Sequence, residues 1–166
     1  PVGEGAKRVV VMVAPVIRAG RAASTALSHT PGFVHMEAMD QIAPTCDEIE
    51  ELARETVANL PMAFRETAQK VALRVADFAD EEVLEEMEIE AFDLTGLYEG
   101  VPLTEKSNWD VPQGPDTVWL FRRPILDEWA ERGNVTIADL VAHVTIHEFA
   151  HHFGWSDDDI AAIDQW

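Results

Sequence analysis

With 166 residues, 47% of them hydrophobic, the chain is long enough to bury one core and too short for two ordinary domains. A formal charge of −19 excludes an extended phosphate-binding surface, which needs clustered Lys and Arg, so nucleic acid is not an expected partner. The single cysteine, Cys46, excludes an internal disulfide framework and cysteine-rich structural zinc sites, and makes a reducing, cytoplasmic setting the expectation.

Residues 1–35 differ in character from the rest, carrying Lys7, Arg8, Arg18 and Arg21 against Glu4 alone. Val9 to Ile17 is an Arg-flanked apolar run followed by small residues, a faint likeness to a signal or transit segment. Nine residues are too few to cross a bilayer as a helix, and no membrane partner is expected. The expected organisation is a poorly ordered extension over 1–35, or translated sequence upstream of an internal start at Met36, followed by one domain over 36–166.

A capping pattern, Thr45 to Glu48, predicts a helix that runs to Leu60 before Pro61. Cys46 falls at its start among acidic residues with no histidine neighbour in sequence, which fits a small helix-start residue better than a nucleophile. A short helical turn from Pro61 leads to Val71, Leu73 and Val75, whose alternation predicts a half-buried strand to about Ala76. The acidic stretches Asp47 to Glu55 and Asp80 to Glu90 read as solvated helix faces, the second a brief helix or turn. Leu94 to Tyr98 is a second extended piece before the Gly100 and Pro102 loop. Thr117 to Phe121, β-branched and aromatic, is a third. Pro124 is expected to open a helix ending near Gly133.

The last long element is a helix started by Thr136 with Asp139. Ile137, Leu140, Val141 and Val144 recur at helical spacing, and Ile146, Phe149, Ala150 and Phe153 continue the apolar surface. His143, His147 and His151 form a separate stripe beside it. Three short strands and several helices without βαβ regularity make an α+β domain, a small sheet packed on this helix.

The helix ends in His147 to Asp157, an H-E-x-x-H-x-x-G-x-x-D pattern. Residues four apart share a helix face, so His147 and His151 can aim two imidazoles at one ion, and Zn2+ is the expected metal. Glu148 follows the first ligand, where a carboxylate can take a proton from an attacking water, and is the candidate general base. Catalytic zinc takes a third protein ligand, and Gly154 allows the sharp turn that would return Asp157 toward the metal. His143 reads as a neighbour of the site, since three histidines at successive turns drift around the axis. His152 points about a quarter turn from His151 and is expected outside the coordination sphere. Asp158 and Asp159 compete with Asp157 on sequence alone, but Ser156 with Asp159 makes a capping box, a structural use for Asp159.

The segment HEFAHHFGWSDDDI, His147 to Ile160, resembles the signature of a small bacterial zincin-like metallopeptidase family. TGLYEGVPLTE (Thr95 to Glu105) and PDTVWLFRRPIL (Pro115 to Leu126) resemble that family's loop and strand segments, so the likeness runs from about Cys46 to Trp166. It implies a minimal zincin α+β fold, zinc held by His147 and His151, Glu148 as the catalytic glutamate, and Asp157 as the acidic residue after the glycine turn. The pattern is also similar to that of metzincins, in which histidine usually follows the glycine. Asp157 stands there instead, and all five methionines precede the motif, so a Met-turn is not expected.

The resulting expectation is a zinc-dependent peptidase acting on a peptide or protein. Zincin sites usually hold an extended substrate along a sheet edge, for which Thr117 to Phe121 is the chosen strand, unless Trp119 and Phe121 serve the core. Tyr98, the only tyrosine, fits a structural aromatic better than an oxyanion donor. Two other classes are a metal-dependent hydrolase of another bond, such as an endoribonuclease, which the acidic charge disfavours, and a non-catalytic zinc-binding interaction module. Iron, cobalt or nickel could occupy the same ligands, and the sequence carries no sign of the oligomeric state.

Overall fold

The computed structural model describes residues 43–106 and 115–163. The expected extension over 1–35 and the start at Met36 lie outside the described residues. Six helices and three strands follow in the order α1 (Cys46–Ala58), α2 (Met62–Ala68), β1 (Ala72–Ala76), α3 (Glu81–Met87), β2 (Gly96–Glu99), β3 (Thr117–Phe121), α4 (Arg122–Arg132), α5 (Ile137–His152) and α6 (Asp157–Ile163), with a 3-10 turn at Ala91–Asp93 before β2. This is the mixed α+β arrangement expected, a small sheet against the motif-bearing helix.

Local chemistry accounts for the boundaries. Thr45 and Glu48 form a reciprocal capping box that starts α1. Thr136 caps α5 by accepting the Asp139 N–H at 3.1 Å. Helix α4 begins two residues before the expected Pro124: Arg122 and Arg123 precede the proline, whose missing N–H costs nothing in a first turn that has no intrahelical acceptors. Gly133 ends α4 at φ 63°. The acidic side chains Asp47, Glu48, Glu51, Glu81, Glu82, Glu85 and Glu86 are exposed, as solvated faces should be. Burial raises the Cys46 thiol pKa, with Asp77 adding to the rise, the opposite of nucleophile activation.

The sheet order is β1-β3-β2, with β1 parallel and β2 antiparallel to β3. Strand β3 is therefore central and bonded on both sides, which overturns its choice as the substrate-pairing edge. A strand with both ladders filled has no free backbone groups to offer. Its alternation serves two cores instead. Val118 and Leu120 face the main cluster with Ile49, Ala53, Leu73, Tyr98, Val141, Val144 and Phe149, while Phe121 and Trp119 face a smaller one with Leu94, Leu97 and α3.

Helix α5 lies across the main core against α1 and β2, burying Leu140, Val141, Val144 and Phe149. Ile146 departs from the expected apolar surface and is 50% exposed. It is two residues from Val144, about 200° around the axis, and so faces away from the core. Among the described residues no helix is long and apolar enough to cross a membrane.

Candidate metal centre

His147 and His151 occupy successive turns of α5, their rings 4.7 Å apart between centroids and nearly perpendicular. The helix then ends in a Schellman motif: Gly154 N–H bonds the His151 carbonyl at 2.9 Å and Trp155 N–H bonds the Ala150 carbonyl at 3.1 Å. Gly154 takes φ 93°, which disfavours any residue with a Cβ. The turn delivers Asp157 as the first residue of α6, with Oδ1 3.4 Å from both His147 Nε2 and His151 Nε2. Ligand atoms of these three residues lie within 4.8 Å of one another.

Their electronic arrangement suits a cation. His151 Nδ1 is 2.9 Å from the Trp155 carbonyl, an acceptor only, so Nδ1 carries the proton and Nε2 presents a bare lone pair. Both Nε2 atoms are buried without a hydrogen-bond partner. Two imidazole nitrogens and a carboxylate oxygen thus face one point with nothing between them to share. Such a set is costly alone and is satisfied by a divalent metal; two imidazoles and a carboxylate are a known catalytic set for zinc. Burial lowers the His147 pKa, with the charge of His151 as the next cause. Burial likewise lowers that of His151 against the raising effects of the Trp155 carbonyl and Asp157. The neutral, ligating form is favoured in each case.

Glu148 stands beside this cluster, fully buried against β2. Neither carboxylate oxygen has a hydrogen-bond partner of good geometry. Burial pushes its pKa well above the ordinary carboxylate range and the charge of Asp157 adds to the rise, while the nearby Tyr98 backbone N–H opposes it weakly. Gly96 makes this fit possible, since a Cβ there would stand 2.7 Å from Glu148 Oε1.

The remaining candidates separate from the cluster. His143 is half-buried, its ring 6.4 Å from that of His147, and it is not one of the three converging residues. Asp159 and Ser156 form the expected capping box, Asp159 N–H donating to Ser156 Oγ at 3.2 Å and Ser156 N–H to Asp159 Oδ2 at 3.0 Å. Asp158 is exposed. His152 turns away to Tyr98, its Nδ1 3.1 Å from the phenol oxygen. Tyr98 is itself buried, bonded to the Val101 carbonyl at 3.1 Å, and serves the core. Sequence reading missed Gly96, although a lone glycine inside a strand pattern is a sign of close approach. It also missed the Trp155 carbonyl, which no side-chain pattern reveals.

Residues 68–166, more than half of the chain, match the family described as zincin-like metallopeptidase. That match begins at the last residue of α2, so α1 precedes it. No curated protein matches the chain at a significant level. With a mixed α/β domain built on a small sheet and the match spanning all three strands and helices α3 to α6, the chain belongs to the zincin-like metallopeptidase family.

Proposed function

We propose that the protein is a zinc-dependent peptidase in which His147, His151 and Asp157 hold the metal and Glu148 is the general base. The observation that carries this reading is the convergence of three ligand atoms within 4.8 Å, two of them buried imidazole nitrogens without a hydrogen-bond partner, beside the fully buried Glu148 carboxyl. Family membership supports the same chemistry.

Bound zinc would lower the pKa of a water toward about 7 and set positive charge against the scissile carbonyl. His147 and His151 contribute Nε2 and Asp157 a carboxylate oxygen. Burial and the charge of Asp157 raise the proton affinity of the Glu148 carboxylate, the direction that favours its taking a proton from water. Glu148 takes the proton from the attacking water and passes it to the leaving amine nitrogen. Its burial keeps bulk water from competing for that proton.

The substrate we assign is an extended peptide along the outer edge of β2. Phe121 N–H bonds the Thr95 carbonyl, so by strand alternation Thr95, Leu97 and Glu99 turn their backbone groups to β3, while Gly96 and Tyr98 turn theirs outward. The same strand packs its Gly96 face on Glu148, whose Oε1 would stand 2.7 Å from a Cβ there, so a chain added at this edge would run beside the proposed base. We assign the 36–166 stretch as the catalytic unit and the cytoplasm as its setting, on the composition argued above.

The test compares cleavage of a peptide library by the wild type, the chelated wild type and Glu148→Gln. Cleavage should vanish with chelator and return with Zn2+, and Glu148→Gln should lose about 10²–10⁴ of the rate while keeping its zinc. Undiminished cleavage by Glu148→Gln would sink the mechanism. Stoichiometric zinc without turnover would favour the interaction module.

A further inference from the structure

A second polar cluster lies under the C-terminal turn of α5, and the proposed peptidase chemistry does not use it. His152, 2% exposed, has Nδ1 3.1 Å from the Tyr98 hydroxyl and 3.4 Å from Asp116 Oδ2. Tyr98 donates to the Val101 carbonyl, so its oxygen is left to accept and His152 Nδ1 carries the proton. Asp116, its side chain 13% exposed, also pairs with Lys106 Nζ. Gly100 leaves the room for this: a Cβ there would stand 2.5 Å from Asp116 Oδ1 and 2.7 Å from the Tyr98 hydroxyl.

Asp116 thereby joins three separate pieces of chain: the start of β3, the 101–106 segment through Lys106, and the last turn of α5 through His152. The 101–106 segment in turn touches the turn that carries Asp157. Leu103 N–H bonds the His152 carbonyl at 2.9 Å, and Thr104 packs against Gly154 so closely that a Cβ on Gly154 would overlap it. Downstream of Gly154 come the Trp155 carbonyl that orients His151 and the Asp157 carboxylate that faces both histidines.

We propose that Asp116 is a positioning residue for the metal centre. By tying Lys106 to His152 it clamps 101–106 onto the Gly154 turn, and so holds Asp157 and the Trp155 carbonyl in register with His147 and His151. Residues that orient ligands without touching the metal alter its affinity about 10–100-fold when replaced. The inference rests on the reading of His147, His151 and Asp157 as ligands.

The test measures the zinc dissociation constant by competition with a chromophoric chelator, and the visible spectrum of the Co2+-substituted protein, for the wild type, Asp157→Ala, Asp116→Ala, Asp116→Asn and Lys106→Met. Asp116→Ala should bind zinc about 10–100-fold more weakly, with a cobalt spectrum displaced toward that of Asp157→Ala. Asp116→Asn keeps the volume and an acceptor for His152 and should recover part of the loss. Lys106→Met should weaken binding less, and adding it to Asp116→Ala should cost little more, because both break one clamp. Zinc affinities of Asp116→Ala and Lys106→Met within twofold of the wild type would overturn the proposal, even if stability falls. Should Asp116→Ala not fold, Lys106→Met decides by the same criterion, since that side chain is 40% exposed and its loss leaves the core intact. A wild type that takes up no zinc overturns the ligand reading and this one together; variants that match a zinc-binding wild type overturn this one alone.

Discussion

Gly96 and Glu148 meet face to face: a Cβ built on Gly96 would lie 2.7 Å from Glu148 Oε1, 2.8 Å from its Cγ and 2.9 Å from Val144 Cγ1. The α5 helix can lie this close to β2 only because residue 96 has no side chain. Two of the opposed atoms belong to the proposed base, so the fit serves both packing and chemistry.

Gly96→Ala should consequently cost more activity than stability. The added methyl must displace Glu148 or lift α5, an overpacking penalty of about 1–3 kcal/mol. Urea denaturation of the metal-free protein gives the first quantity, and peptide cleavage per folded molecule gives the second. A variant of unchanged specific activity would show that Glu148 has no need of this contact.

Removing the Glu148 charge should stabilise the metal-free protein even as it slows turnover. Its folded pKa is raised by burial, so the folded state holds a proton that the unfolded chain has already released. The group therefore costs nothing below the ordinary carboxylate range, and the cost grows as pH rises through the raised value. Glu148→Gln never ionises. Its stability relative to the wild type should increase from pH 5 to pH 7.5, by about 1–3 kcal/mol, the range for a buried polar group left unsatisfied. A gap that stays constant or narrows with pH would contradict the burial argument.

Much of this arrangement was legible in the residues because it is local. Helical spacing places His147 and His151 on one face, Thr136 with Asp139 marks the start of α5, and Gly154 forecasts the turn before Asp157. What escaped was non-local. Nothing in Thr117 to Phe121 tells a central strand from an edge, because an apolar, β-branched run suits either, and pairing partners far away in the chain decide. Tyr98, Asp116 and His152 are distant in sequence, and no period links them. Ile146 was misplaced by treating an apolar residue as a buried one, although its phase opposes that of Val144.

Gly154→Ala tests the turn separately from the ligands. A left-handed backbone at φ 93° disfavours a Cβ, and Thr104 occupies the space it would need. Strain of about 1–3 kcal/mol is expected from the backbone alone. Because the turn carries Asp157 and the Trp155 carbonyl, zinc affinity should fall along with melting temperature. Restored zinc affinity in Gly154→Asn, whose side chain tolerates the left-handed region better, would place the effect in the backbone rather than in the Thr104 contact.

Zinc should stabilise the folded chain in a manner that ends with the histidines. Saturation at a hundred times the dissociation constant contributes about 2.7 kcal/mol, and each kcal/mol moves the melting temperature by about 2–4 °C in a chain of this size. Chelation should reverse the shift, and His151→Ala should abolish it. Its pH dependence follows from the folded state. Burial lowers the pKa of His147 and His151, so both remain neutral and able to ligate at pH values where a free imidazole is half protonated, about 6.5. The same lowering means the unfolded chain takes up protons first, so metal-free stability declines as pH falls below that value. The zinc-induced shift should therefore persist to mildly acidic pH and disappear only as the lowered pKa values are crossed. Paired thermal melts with and without zinc from pH 8 to pH 5 measure this. A zinc shift lost as the pH falls through about 6.5 would show that the histidines titrate as exposed residues, and the centre drawn here would be wrong.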